Sequence, residues 1–142
     1  MDTLAWVFVS IAFIISLLSI ILYFRRNEHY RVATDIESTN LFERVKNDLS
    51  LLYPHQLSAI DIKGLVSCIP EDSFTEDKQK VGICIRNPAG DFYPYGKILK
   101  IGIHELAHVM SKQHDPEHKT PEFISNYSYL MNKAYQLGLK VE

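Results

Sequence analysis

Residues 104–123 read HELAHVMSKQHDPEHKTPEF and carry His104, His108, His114 and His118, four of the chain's six histidines. His104, Glu105 and His108 form the pattern H-E-x-x-H. On a helix, positions i and i+4 project from one face, so His104 and His108 can grip one ion. Glu105 sits one residue round from His104, where it can hold and deprotonate a water rather than serve as a third ligand. Neutral imidazoles suit Zn²⁺, and a catalytic zinc site keeps one coordination position free of protein. The third protein ligand is open on spacing alone. His114 follows His108 by the interval of the longer pattern H-E-x-x-H-x-x-G-x-x-H, with Ser111 in place of the glycine, while His118 stands just before a helix start.

That helix start is Thr120-Pro121-Glu122. It offers a threonine N-cap, a proline at the first helical position and an acid at the positive end of the dipole. Phe123, Tyr127, Leu130, Ala134 and Leu137 then recur as an inward face, and Gly138 ends the run. Upstream, a motif helix over about 97–111 begins after Gly96. Ile98, Ile101, Ile103, Leu106, Ala107 and Val109 make it apolar on most sides, and Gly102 marks a close backbone approach. The segment 80–95 reads as a hairpin: Val81, Ile83 and Ile85 alternate, Asn87-Pro88-Ala89-Gly90 turns, and Pro94 confines the returning strand to an edge. Residues 70–78 read as a solvated acidic loop, and 57–63 as a half-buried strand ended by Gly64. Asn40-x-x-Glu43 resembles a capping box that opens a helix over about 40–52. The order of elements gives an α+β class.

The N-terminus carries a different signal. Residues 4–24 lack any charge, Pro or Gly, and at about 1.5 Å per residue they would span roughly 31 Å, the hydrocarbon core of a bilayer. Trp6 and Tyr23 stand near the ends, and Arg25, Arg26 and Arg31 follow. The expectation is a single-pass transmembrane anchor over 1–26 and a juxtamembrane connector over 27–39. A zinc metallopeptidase-like domain would fill 40–142. Residues 4–24 would meet the lipid bilayer, with the N-terminus out and the C-terminal domain cytosolic. With 15 Lys+Arg against 17 Asp+Glu and no basic patch, nucleic acid is not expected as a partner. Cys68 and Cys84 lack metal or redox spacing and read as buried small hydrophobes of a reducing compartment.

HELAH, a later histidine and a PEF-like phrase opening a second helix resemble the SprT/WLM group of zinc metallopeptidases. Small chains with this HELAHVMS…EF…G layout are also similar to WLM-like proteins of large DNA viruses. The resemblance covers roughly residues 79–138. It implies a zincin-like domain in which a short sheet packs on the motif helix, with an edge strand above the zinc that takes a peptide substrate. The 80–95 hairpin is the candidate for that edge. It also implies His118 as third ligand, with His114 as second choice.

Two readings follow. In the first, His104, His108 and His118 or His114 hold Zn²⁺, and Glu105 activates water for hydrolysis of a peptide or protein. In the second, the chain is a catalytically silent structural or assembly protein of a membrane-containing virion, with capsid or membrane protein partners and a zinc that only stabilises its head. Tyr93 and Tyr95 are assigned packing and no catalytic role.

Overall fold

The computed structural model describes residues 3–28 and 31–142, with side chains of residues 6–22 in the first helix. The chain divides into two units, Met1–Tyr30 and Arg31–Glu142. The first is the helix α1 (Thr3–Glu28). Among the described residues no helix is long and apolar enough to cross a membrane. The transmembrane anchor is therefore withdrawn, and with it the bilayer contact of residues 4–24, the N-terminus-out topology and the virion-membrane setting. The roles read for Tyr23, Arg25 and Arg26 lie outside the described side chains.

The second unit is α+β. It runs β1 (Arg31–Val32), α2 (Ile36–Leu52), β2 (Asp61–Val66), β3 (Phe74–Glu76), β4 (Lys80–Cys84), α3 (Tyr95–Met110) and α4 (Pro121–Gln136). The sheet order is β1-β2-β4-β3. The two central strands are parallel, with Ile62 beside Val81 and Gly64 beside Ile83. β1 and β3 flank them antiparallel. One sheet face meets the helices: Ile62, Val81, Ile83 and Ile85 pack with Leu49 of α2, Ile98, Ile103 and Leu106 of α3, and Leu130 and Ala134 of α4. Gly102 lets α3 approach, since a Cβ there would stand 2.8 Å from a Leu49 methyl. The other face holds a small cluster of Leu65, Cys68 and Cys84 with Phe74 and Tyr93 against it.

Several expectations change at this level. The cysteines are a disulfide, Cys68–Cys84, with Cα atoms 5.9 Å apart, so the reading as reduced hydrophobes is corrected. The second unit begins at Arg31, and Asp35 rather than Asn40 caps α2, its carboxylate accepting the Ser38 amide at 2.8 Å. The connector assigned to 27–39 is thus partly β1 and the first turn of α2; His29 and Tyr30 lie outside the described residues. The expected strand over 57–63 is a 3₁₀ turn at Leu57–Ala59 followed by β2.

The 80–95 hairpin is replaced by one a step earlier. β4 turns back on β3 through Asp77 and Lys78, both at positive φ (51° and 58°), and residues 85–95 contribute only an isolated bridge of Arg86 to Phe92. The supposed acidic loop therefore supplies the edge strand. Leu137, expected inside, is half exposed at 50%. The rest of α4 stands as read: Thr120 caps it, Pro121 opens it, and Gly138 closes it at φ 72°. There the Leu139 amide donates to Ala134 O and the Gly138 amide to Tyr135 O, as a Schellman motif requires.

Candidate metal centre

α3 carries His104, Glu105 and His108 in consecutive turns, and its apolar face is buried against α2 and the sheet. That burial orients the remaining face, so His104 and His108 emerge together beside the loop that links α3 to α4. The loop is built by Asp115. Asp115-Pro116-Glu117-His118 forms a turn in which the His118 amide donates to Asp115 O at 3.3 Å. The Asp115 carboxylate accepts from the Thr120 amide at 2.7 Å and from its hydroxyl at 2.8 Å, which ties the turn to the N-cap of α4. His118 itself has φ 56°, a left-handed conformation that costs a non-glycine residue roughly 1 kcal/mol.

These elements bring three imidazoles to one point. His104 Nε2 lies 3.2 Å from His118 Nε2 and 3.3 Å from His108 Nε2, and one nitrogen from each ring falls within 4.8 Å of the others. A tetrahedral zinc with Zn–N bonds of about 2.0–2.1 Å separates its ligand nitrogens by roughly 3.3 Å. The donor set fits a metal ion. Phe123, in the first turn of α4, packs against all three rings at centroid distances of 5.2, 4.5 and 5.1 Å.

The electrostatics favour the ligating forms. Burial, and then the charge of His118, holds the His104 imidazole down at about 4. Burial, His104, His118 and Lys78 together hold His108 at about 4, against the opposing pull of Asp115. Both rings are thus neutral at pH 7, the state that binds a metal. Burial would raise Asp115, but the amide and hydroxyl of Thr120, the Lys119 amide and His118 outweigh it and set the carboxyl at about 2.

Glu105 is 6% exposed, and burial pushes its carboxyl up to about 7 against the contrary effect of a Thr75 hydrogen bond. Thr75 Oγ1, on β3, stands 2.8 Å from Glu105 Oε2 and 3.0 Å from Glu105 O. Lys78 Nζ donates to His108 O at 2.6 Å. A cleft of about 740 Å³ opens over the three histidines and Glu105, with Ser73, Phe74 and Thr75 on the β3 side and His114 and Tyr127 opposite. His114 thus shares the cleft but not the nitrogen cluster. Tyr93 and Tyr95 do not line it; their hydroxyls donate to Cys68 O and to Asp48.

Sequence reading missed Thr75, Lys78 and Asp115. Asp115-Pro116 carried a usable signal, since Asp then Pro is a turn signature. Thr75 sat in a polar stretch that showed none.

No family model matches this chain, and no curated protein or solved structure matches it. The SprT/WLM resemblance stays with the HELAH and PEF phrases alone.

Proposed function

We propose that the domain is a zinc-dependent peptidase of the SprT/WLM type, with His104, His108 and His118 as ligands and Glu105 as general base. One observation carries this reading: a carboxylate with a raised pKa opens on the same cleft as a three-imidazole cluster of zinc dimensions. A purely structural metal site has no use for such a base, and it calls for a fourth protein ligand, which His114 does not provide.

Zinc, when bound, supplies the Lewis acidity that polarises a scissile carbonyl and acidifies a water. The chain's own groups do the rest. Glu105 takes the proton from the attacking water and delivers it to the departing amine, so the carboxylate is restored at the end of the cycle. The buried faces of α3 hold the two motif imidazoles in register, and the Asp115 turn delivers the third. β3, the last strand of the sheet, would take an extended peptide, which would add to the sheet through main-chain hydrogen bonds.

Metal analysis and X-ray absorption on the full chain, with casein hydrolysis, test the proposal. Wild type should hold one zinc with three imidazoles and one oxygen. His118→Ala should lose zinc affinity, and His114→Ala should retain it. Glu105→Gln should keep zinc and lose hydrolysis. Four imidazoles, or a Glu105→Gln protein as active as wild type, would defeat the proposal.

A further inference from the structure

Among the described residues, Thr75 is the one protein donor that meets the Glu105 side chain, and it arrives from a different element thirty positions away. Among the described residues no buried side-chain oxygen lacks a partner. The second carboxylate oxygen, Oε1, is therefore not enclosed by protein; it opens on the cleft that Glu105 lines. We propose that Thr75 is the positioning residue for Glu105: its hydroxyl holds Oε2, so that Oε1 is aimed at the space beside the three histidines. This inference rests on the peptidase reading.

The strand that carries Thr75 is held at several points. Thr75 pairs with Val81 across the β3–β4 hairpin. Its neighbour Phe74 turns to the opposite face and lies over Gly82, where a Cβ would come within 2.4 Å of the Phe74 ring. The Ser73 hydroxyl accepts the Cys84 amide at 3.0 Å, and Cys84 is itself bonded to Cys68. At the far end Lys78 reaches the last turn of α3 at His108 O. A hydroxyl carried on so constrained a strand loses little freedom in meeting Glu105, which is what a positioning contact needs.

The two distances also suit a proton carrier. A threonine hydroxyl has one proton, so it can donate to Glu105 Oε2 or to Glu105 O, but not to both at once. While the carboxylate is ionised, the shorter contact takes that proton. When Glu105 takes the proton of the water, that proton lies on Oε1, the oxygen that faces the cleft, and Oε2 still accepts from Thr75 Oγ1. Thr75 thus holds Oε2 in both states without movement of β3. The proton count is unchanged, because the proton gained from water leaves on the amine.

The experiment uses the full chain as wild type, Thr75→Val, Thr75→Ser and Glu105→Gln. Valine keeps the shape and strand preference of threonine, and serine keeps the hydroxyl. Three quantities are measured: zinc per chain, steady-state hydrolysis of denatured casein, and the visible spectrum of the Co(II)-substituted protein against pH. All variants should hold zinc as wild type does. Thr75→Val should lower kcat by about tenfold to a hundredfold at nearly constant KM, the range for a lost supporting contact, and should move the cobalt spectral transition. Thr75→Ser should restore both.

A Thr75→Val protein with wild-type kcat and wild-type cobalt profile, beside an altered Glu105→Gln, overturns the positioning role alone. So does loss of zinc from Thr75→Val, which would make the contact structural. If casein is not cleaved by wild type, the cobalt profile decides on the same terms. If Glu105→Gln matches wild type in every readout, the peptidase reading fails and this inference falls with it.

Discussion

Among single residues, Glu105 and the two motif histidines oppose each other as pH changes in protein freed of metal by a chelator. His104 and His108 titrate at about 4 when folded against 6.5 ordinarily. As pH falls from 6.5 to 4, the unfolded chain takes up protons that the folded chain refuses, so stability drops. Glu105 titrates at about 7 when folded against 4.5 ordinarily. Its contribution is fully present below 4.5 and is lost as pH rises through 7. Urea midpoints for wild type should therefore rise from pH 4.5 to 6.5, where two groups outweigh one, and level off near 7, where the opposing contributions cancel. Glu105→Gln should rise more steeply and then stay level. Parallel curves for the two proteins would refute the burial of this carboxyl. Asp115 acts at the same scale but on placement. Asp115→Ala strips the Thr120 amide and hydroxyl of their acceptor. Since the same residue sets the His118 turn, zinc affinity measured against a competing chelator should fall at least about tenfold. Unchanged affinity would show that His118 is placed without it.

Among elements, the β3–β4 hairpin decides whether the cleft has a wall. Gly82→Ala is the sharpest test, because the added carbon would meet the Phe74 ring at 2.4 Å and a Leu65 methyl at 2.9 Å. Overpacking of this kind costs about 1–3 kcal/mol. Phe74 should be displaced, and amide exchange at residues 74–76 should quicken while α4 stays protected; uniform protection would show that the edge is not seated on Phe74. This hairpin is also where the sequence was hardest to read. Its turn uses Asp77 and Lys78 at positive φ without the glycine or asparagine that usually announces one. The parallel pairing of β2 with β4 is non-local, so nothing in 80–95 reveals that its partners lie upstream. The disulfide was hidden for the same reason: Cys84 ends β4 beside Leu65, and Cys68 returns to it only after Ser67 turns the chain at φ 57°. By contrast, α3 and α4 were legible because helix signals are local. A buried period, Thr120 before Pro121, and a closing Gly138 each act within one or two turns. The histidine pair was legible with them. His118 over His114 came only from family resemblance, since the choice depends on an Asp115 turn that spacing does not encode.

For the unit Arg31–Glu142 as a whole, the disulfide is one cross-link, and a metal on the three histidines would be a second. The His104, His108 and His118 group would join α3 to the loop before α4 through a metal, while the disulfide joins the end of β2 to the end of β4. Both flank the strand that carries Thr75, so each should stiffen the cleft from a different side. Closing a loop of sixteen residues restricts the unfolded chain by about 3 kcal/mol in the chain-entropy account. For a domain of this size that corresponds to roughly 10–15 °C in Tm. Zinc at a hundredfold excess over its Kd should add about 2.7 kcal/mol by mass action. Because the disulfide lies in the Leu65 cluster and the imidazoles in the cleft beside α3, the two effects should add. Calorimetry on Cys68→Ser/Cys84→Ser and wild type, each with zinc and with chelator, gives the four melting temperatures. The double serine variant should melt lower by a similar amount in both conditions and still bind zinc. If removal of the disulfide also abolished zinc binding, the hairpin would be organising the histidines themselves, and metal placement by the Asp115 turn would not be separate from base placement by β3.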